Sequence, residues 1–336
     1  MKLKRRHTVI RTALTELLGI TDPIVSAPMG GVSGGALAAA VTAAGGLGLV
    51  GVSYGDREFI STHLPEAAHG GGVWGAGLVM FTFDERPCLL EQVLSHAPPV
   101  VALSFGDADQ TTRYVKRCRE SGAHVLVQVH DLEQASHAVD AGASAVIAQG
   151  SEAGGHHAAR ATFPFLPAVA DLLDGRVPLI AAGGIADGRG LAAALALGAD
   201  GVMVGTRFAA SSQSLATPGF RTELVAAQTA DTMNTRAFDV VREIPWGRAY
   251  QARAIANAFA VEWAGRDDEL AARAREIEPD WTSAVARDDV TQRAMFAGEI
   301  VDLVNDILPA GDIVRLIADE ASEAMRSLGR RAALAS

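Results

Sequence analysis

The amino-acid sequence predicts an α/β fold, a (β/α)8 TIM barrel with an additional helical insertion near the C-terminus. Three observations support this prediction. Short apolar runs alternate with Ala-rich amphipathic segments, eight such runs lie in the first 210 residues, and the rest of the chain is helical and more charged. Short, continuously apolar strands are typical of a parallel sheet covered on both faces. A doubly wound open sheet has the same alternation, so periodicity leaves that architecture open.

The eight predicted strands are apolar runs that end close to glycine, proline or polar residues. They lie at Pro23–Ala27, Gly46–Val52, Val73–Val79, Val100–Ser104, His124–Val129, Ala145–Ala148, Pro178–Ala181 and Gly201–Val204. Helices are expected between them at Gly35–Ala44, from Asp56, from Asp84, at Asp109–Ser121, at Asp131–Ala141 and at Asp187–Leu197. Aspartate is a favoured helix N-cap, which supports the starts at Asp56, Asp84, Asp131 and Asp187.

The chain divides into three predicted parts. Residues 1–210 form the cofactor-binding barrel body, residues 211–298 a helical insertion on the substrate side, and residues 299–336 the C-terminal helices that complete the barrel. The insertion is rich in tryptophan and arginine. The last barrel helix is expected near Glu299–Ile307, before a break at Pro309 and a terminal helix.

Composition excludes several classes of protein. Lys and Arg total 29 against 39 Asp and Glu in 336 residues, a net charge of −10 that argues against a nucleic-acid partner. Two cysteines, Cys88 and Cys118, are too few for a disulfide scaffold or a cysteine-rich metal site. The basic start lacks the apolar core of a secretory signal, and glycines interrupt the long apolar stretches. The expectation is a soluble, cytoplasmic protein without a membrane partner.

Two glycine-rich loops follow the last two predicted strands. Gly183 and Gly184 follow the seventh strand, and Gly205 and Thr206 follow the eighth. Glycine lets a backbone approach a ligand closely, and the free N–H groups of a helix start favour phosphate. Barrel enzymes carry their phosphate site at this place. A pair of tight turns is the alternative, but the two loops together favour a phosphate site.

The loop after the sixth strand (QGSEAGGHH) contains a candidate catalytic histidine. Gly154 and Gly155 place His156 at a strand end, where its side chain can meet a ligand. Histidine titrates near neutrality and can act as a general base or acid. His157 is expected to be a bystander, because adjacent side chains project differently. The spacing of these histidines and Glu152 fits no standard metal site, so no metal is expected.

A third feature follows the first strand, where Ala27, Pro28 and Met29 form an extended turn. The thioether of Met29 is a soft apolar group that can lie against a planar ring. The sequence contains no Walker A loop, no G-x-S-x-G elbow and no H-E-x-x-H motif. These absences remove several classes of enzyme.

In these residues the chain resembles the nitronate monooxygenase family, formerly called 2-nitropropane dioxygenases. Three motifs carry the resemblance: Ala27–Met29 with Leu37 and Gly45–Gly48, Gln149–His156, and Ala181–Gly188 with Gly205–Phe208. They extend over residues 1–210, roughly two-thirds of the chain. NADH:quinone reductases and flavin-dependent enoyl-acyl-carrier-protein reductases share much of the pattern.

The resemblance implies an FMN-dependent oxidoreductase, a monooxygenase, with His156 as its catalytic residue. Ala27, Pro28 and Met29 would pass beside the isoalloxazine, and the two glycine loops would bind the phosphate. The implied cofactor-binding residues are Ala27, Pro28, Met29, Gly77, Gln128, Gln149, Gly154, Gly155, Ala182, Gly183, Gly184, Val204, Gly205 and Thr206.

Three positions depart from the family pattern. Gly77 stands where the family commonly has asparagine, so a side-chain contact to the flavin is expected to be missing there. Gln128 stands where some relatives carry lysine, and Ala158 where a glycine often follows the histidine. These departures affect substrate choice and flavin tuning more than flavin binding.

The implied reaction is oxidation of alkyl nitronates, or nitroalkanes, by O2 to a carbonyl compound and nitrite. His156 would act as the base or stabilise the anionic substrate. The alternative is an NAD(P)H-dependent flavin reductase of quinones or enoyl thioesters on the same barrel. A flavin- or phosphate-binding barrel without turnover is a third reading, which the complete histidine motif disfavours. Exposed apolar surface on the helical region leaves a homodimer open.

Overall fold

The computed structural model describes residues 9–84 and 86–333. The segment on which the secretory-signal prediction partly rests, residues 1–8, lies outside the described residues, as do residues 334–336 of the predicted C-terminal part. Among the helices of the described residues, none combines the length and the apolar character that crossing a membrane requires.

Eight parallel strands form one sheet that closes into a barrel. The strands of the chain are β1 (Ile24–Ser26), β2 (Gly48–Ser53), β3 (Trp74–Val79), β4 (Val100–Ser104), β5 (His124–Val129), β6 (Ala145–Gln149), β7 (Gly155–His157), β8 (Leu179–Ala182), β9 (Gly201–Val204), β10 (Thr232–Thr235) and β11 (Gln251–Ile255). The barrel order is β1-β9-β8-β6-β5-β4-β3-β2, and a parallel bridge between Val25 and Leu47 joins its two ends. The TIM-barrel prediction is therefore confirmed, and the doubly wound sheet is excluded.

Helices connect the strands and surround the sheet. They are α1 (Ala13–Leu18), α2 (Gly35–Ala43), α3 (Arg57–Ala68), α4 (Pro87–Ser95), α5 (Ala108–Glu120), α6 (Leu132–Asp140), α7 (Thr162–Leu173), α8 (Gly188–Ala196), α9 (Thr206–Ala209), α10 (Pro218–Ala226), α11 (Ala237–Val241), α12 (Ala258–Glu262), α13 (Asp267–Ala286) and α14 (Ala310–Ala333). Single 3₁₀ turns lie at Met80–Thr82, Thr229–Asp231 and Glu299–Leu303. Asp56, Asp131 and Asp187 cap helices as predicted, each accepting a backbone hydrogen bond.

The interior of the barrel is filled at one end and open at the other. Branched and long apolar side chains such as Leu47, Leu126 and Ile147 fill the half at the amino ends of the strands. Helix α1 covers that end with Leu14 and Leu18. At the carboxyl ends of the strands the inward positions are small or polar, so the barrel is open there to a ligand.

A cap covers the open end and carries two strands besides its helices. Residues 211–298 contain α10–α13, as predicted, and also β10 and β11, which were not predicted. These two strands form an antiparallel sheet with β7, in which Ala252 lies opposite His156. The strands are only four and five residues long, and their partner β7 is far away in sequence, so no local alternation marks them. The sheet ties the cap to the histidine loop.

Two predicted helix positions are wrong. The segment Glu299–Ile307 contains only a 3₁₀ turn, and the last barrel helix is α14, which packs against α8 and α2. Its apolar face (Ile313, Val314, Ile317, Ala318 and Ala321) is buried. Asp84 does not cap α4, because its carboxylate accepts hydrogen bonds from Tyr114, Gln110 and Arg113 instead. Helix α7, after the histidine loop, was not predicted.

Candidate active site

A cavity of about 550 Å³ lies between the carboxyl ends of the barrel strands and the cap. This volume falls in the usual range for small-molecule pockets, roughly 300–1,000 Å³. The barrel side is built mainly from glycine-rich loops and two glutamines, whereas the cap side is largely apolar. The apolar cap wall includes Phe220, Trp281, Val285 and Phe296.

Thirteen of the fifteen residues proposed from the sequence line this cavity. They are Ala27, Pro28, Met29, Gln128, Gln149, Gly154, Gly155, His156, Ala182, Gly183, Gly184, Gly205 and Thr206. The two others, Gly77 and Val204, do not line it. Val204 is fully buried in the core between strands and helices, because strand alternation turns its neighbour Met203 inward.

Gly77 allows the turn after β1 to cross the end of the barrel. A Cβ atom at this position would overlap the ring of Pro28. The ring of Pro28 therefore occupies the space beside Gly77, and Pro28 itself lines the cavity. Close packing leaves no room for a larger residue without moving Pro28.

We expect the Gly77→Ala variant to be destabilised by about 1–3 kcal/mol, because the new methyl group overfills a packed site. Chemical denaturation measures the change. Gly329→Ala is the matched control, since a Cβ atom there meets nothing within 4 Å and the position is helical and exposed. Equal unfolding free energies for Gly77→Ala and the parent would contradict the assigned packing.

The two glycine loops form a cradle of backbone N–H groups. Gly183 (φ +95°) and Gly184 (φ +74°) adopt left-handed conformations that favour glycine. Within the described residues, the N–H groups of Gly183, Gly184, Gly205 and Thr206 donate no hydrogen bond to the chain. The Thr206 hydroxyl oxygen accepts from the N–H of Gly298 at 3.0 Å, so its own proton remains available to a ligand. Converging donors of this kind fit an anion such as phosphate.

One acidic side chain, Glu152, lies beside this cradle, but its carboxylate is hydrogen-bonded to another part of the chain. Its carboxylate accepts hydrogen bonds from the backbone N–H and the hydroxyl of Thr162, the latter at 2.8 Å. Thr162 begins α7, so the negative charge lies at a helix N-terminus, where the helix dipole stabilises it. Glu152 therefore organises the loop through its bonds to α7.

Two glutamines of the barrel-side wall are held by hydrogen bonds, one of which comes from a buried histidine behind them. The Oε1 atom of Gln149 accepts hydrogen bonds from Gln128 Nε2 (3.0 Å) and His130 Nε2 (2.8 Å). The amide NH₂ group of Gln149 thus remains free to donate to a ligand. Burial lowers the pKa of His130, so its ring is neutral at pH 7. His130 was not proposed from the sequence, although it directly follows the fifth strand.

His156 is held by a carboxylate that belongs to the cap. Its ring is 8% exposed, and Nε2 lies 2.7 Å from Oδ2 of Asp239, which is 3% exposed. Asp239 lies on α11, 83 residues away in sequence. It was missed because no motif connects the two positions. Its only local signal is an acidic residue in the otherwise apolar stretch AFDVV.

The surroundings of His156 favour the neutral imidazole. Burial is the largest influence and lowers its pKa, while the hydrogen bond and charge of Asp239 oppose this effect and the charge of Arg242 adds to it. Because Nε2 donates its proton to Asp239, Nδ1 is the unprotonated nitrogen. In the described part of the chain Nδ1 has no hydrogen-bond partner. His156, which lines the cavity, therefore carries an unprotonated, basic nitrogen.

Aromatic side chains enclose this histidine. The Trp246 indole stacks on its ring, with centroids 3.5 Å apart and planes 9° from parallel. Phe105 and Phe296 approach it from other directions, at 6.3 and 5.7 Å. The Trp246 Nε1–H donates to the Tyr54 hydroxyl at 3.1 Å, which fixes the indole over the histidine. These rings exclude water and account for the burial that lowers the pKa.

The neighbouring histidine has a different environment. His157 does not line the cavity, and its nitrogens lie 2.8 Å from the Ala158 carbonyl oxygen and 3.0 Å from Asn234 Oδ1. The contact with Asn234 connects β7 to β10. Nowhere among the described residues do three His, Cys, Asp or Glu side chains group closely enough to hold a metal ion.

Comparisons with known proteins agree with this geometry. A family model described as nitronate monooxygenase matches residues 11–63 and 84–320. A nitronate monooxygenase of Neurospora crassa is 32% identical over an alignment of 351 positions that covers 91% of this chain and 90% of that protein.

Two solved structures have the same fold. FabK from Thermotoga maritima has a TM-score of 0.85 and 31% identity, covering 96% of this chain and 99% of its own. A nitroalkane oxidase from Streptomyces ansochromogenes has a TM-score of 0.78 and 29% identity, and the match covers 94% of this chain and 100% of the oxidase chain. Both matches extend over nearly the whole length of each chain, so they include the cap as well as the barrel.

Proposed function

The chain belongs to the nitronate monooxygenase family of flavin-dependent oxidoreductases, and we propose that it uses FMN and O2 to convert nitroalkanes, or their nitronates, into a carbonyl compound and nitrite. The observation that carries this proposal is the His156–Asp239 pair, which leaves Nδ1 of a cavity-lining histidine unprotonated beside an anion cradle. The similarity to a nitronate monooxygenase and to a nitroalkane oxidase supports the substrate class.

The residues of the cavity fit a flavin mononucleotide. Gly183, Gly184, Gly205 and Thr206 would bind its phosphate through N–H groups and one hydroxyl, and Gln149 would donate to its ring system. When bound, the flavin supplies the redox chemistry, and the protein supplies placement and electrostatics. In this proposal residues 1–210 bind the cofactor, residues 211–298 form the substrate side, and residues 299–336 complete the barrel.

His156 removes the α-proton of a neutral nitroalkane in this proposal. The reason is its lowered pKa, which keeps the imidazole neutral near pH 7 and makes it a base rather than a cationic anchor. Asp239 holds the ring with Nδ1 unprotonated and stabilises the imidazolium that forms when the proton is taken. The aromatic wall formed by Trp246 and Phe105 keeps water away from the transferred proton.

The assignment of the phosphate cradle predicts a defect in the Thr206→Val variant. We expect its affinity for FMN to fall about tenfold or more, because a hydrogen bond to a charged group is lost. Affinity for riboflavin, which has no phosphate, should change little. Fluorescence titration of the flavin-free protein measures both. Thr222→Val is the control, since that hydroxyl is exposed on α10 and bonds only the Pro218 carbonyl oxygen. Equal losses for both flavins would contradict the phosphate assignment.

Anaerobic reduction of the bound flavin tests the reaction itself. A nitroalkane, its nitronate, NADH and NADPH are each mixed with the flavin-loaded protein, and the loss of visible flavin absorbance is followed. Faster reduction by the nitro compounds supports the proposal. Faster reduction by NADH or NADPH favours the alternative, a reductase of quinones or enoyl thioesters. Flavin that binds but responds to none of the four indicates a barrel without this turnover.

A further inference from the structure

A chain of contacts runs through His156 and ends at a cation. His156 bonds Asp239, the other carboxylate oxygen of Asp239 accepts from Arg242 Nη2 at 3.0 Å, and Trp246 stacks on His156 while it bonds Tyr54. Burial raises the pKa of Tyr54, and the positive charge of Arg242 opposes this effect. The chain of contacts therefore joins the loop after β2 to the end of α11.

Arg242 is fixed in this position by the backbone as well as by Asp239. It directly follows α11, and its Nε donates to the Phe238 carbonyl oxygen at 2.6 Å. Its side chain is 27% exposed and lines the cavity. The guanidinium is therefore an anchored charge beside the histidine–aspartate pair.

We propose that Arg242 is a positioning residue that keeps His156 neutral by balancing the charge of Asp239. This proposal rests on the proposed function in one respect only: the proposed reaction uses the neutral His156 as the base that removes the proton of the substrate. A carboxylate alone beside a histidine favours the imidazolium. With Arg242 bound to the same carboxylate, the neutral histidine gives the trio a net charge of zero. Protonation would leave an uncompensated positive charge in a site enclosed by aromatic rings, which is unfavourable.

The other titratable groups near His156 do not replace Arg242. They include Tyr54 after β2, His157 on the same strand, Tyr250, whose ring packs against Trp246, and His130, which lies behind Phe105. His157 and His130 are bonded to carbonyl or amide oxygens of their own surroundings. Arg242 and Asp239 are therefore the charged groups that oppose each other at the imidazole.

Nuclear magnetic resonance titration of the flavin-loaded, histidine-labelled protein tests the proposal directly. The His156 signal is assigned by its loss in His156→Asn. We expect Arg242→Gln to raise the pKa of His156 by about one unit, because the charge of Asp239 is then unbalanced. Arg242→Lys should restore a value close to that of the parent. Arg275→Gln is the matched control, because Arg275 carries the same charge on the cap but is 90% exposed.

A pH profile supplies the second measurement. The acid limb of kcat/KM for a neutral nitroalkane should move to higher pH in Arg242→Gln by the same amount as the His156 titration. Arg242→Met, which keeps the apolar stem, provides a second neutral variant if Arg242→Gln does not fold. An unchanged His156 titration in a folded neutral variant overturns the proposal. A shifted titration in a protein without nitroalkane turnover supports the role of Arg242 and refutes the proposed reaction instead.

Discussion

The His156→Asn variant should retain flavin and lose about 10²- to 10⁴-fold in kcat/KM for a neutral nitroalkane. The loss is expected because asparagine cannot accept the α-proton at neutral pH, whereas the cavity-lining His156 has an unprotonated Nδ1. Flavin affinity should persist, because the anion cradle is built from other loops. Steady-state oxygen consumption and flavin fluorescence titration measure the two properties.

The choice of substrate separates the two roles that a histidine can have. A preformed nitronate has already lost its α-proton, so His156→Asn should affect it much less than the nitroalkane. An equal loss on both substrates would assign His156 to binding of the anion instead of proton removal. His69→Asn is the matched control, because His69 is exposed at the end of α3 and does not line the cavity. Unchanged nitroalkane turnover in His156→Asn removes this residue from the mechanism.

The parts of the site that could be predicted are those encoded in short stretches of chain. Gly183, Gly184 and Gly205 each follow a buried apolar strand, and the ends of parallel strands meet at one rim of a barrel. His156 could be placed by the same logic, because it follows the sixth barrel strand after two glycines. Local order and barrel geometry together were enough for these residues.

The residues that act on His156 could not be predicted, because they reach it through the cap. Asp239, Arg242 and Trp246 lie 83 to 90 positions further along the chain, in a segment without a recognisable motif. Their position depends on the antiparallel pairing of β11 with β7. Such pairing is a long-range contact between short strands, and neither periodicity nor spacing reveals it. Tertiary packing also explains why the prediction of the last barrel helix was wrong. That helix is α14, and not the segment near Glu299.

The cap and the histidine are mechanically coupled by this arrangement. His156 lies on β7, opposite Ala252 of β11, while its hydrogen-bond partner Asp239 lies on α11 of the same cap. A displacement of the cap would therefore move both the strand that carries the imidazole and the carboxylate that orients it. The cap and His156 are therefore structurally connected, and combined substitutions in both should show non-additive effects on turnover.

The Asp239→Asn variant should lose about 10²-fold or more in kcat/KM for a nitroalkane. An asparagine amide can donate to Nε2 of His156, which places the proton on Nδ1 and removes the basic nitrogen from the cavity. Arg242 also loses its partner, so the fold of the variant is checked by its unfolding transition. Asp171→Asn, at an exposed position of α7, is the matched control. If the maximum of kcat/KM over the pH range were the same in Asp239→Asn as in the parent, the role of Asp239 in orienting His156 would be contradicted.

The direction in which the pKa of His156 changes in Asp239→Asn distinguishes a loss of charge balance from a simple loosening of the site. Asp239 raises the pKa of His156 against the effect of burial, so its neutralisation should lower that pKa further. Because the base works when unprotonated, the acid limb of kcat/KM should move to lower pH in Asp239→Asn. In Arg242→Gln the limb should move to higher pH. Loosening that admits water would move the pKa toward its ordinary value in both variants, so opposite shifts require the charge balance described here.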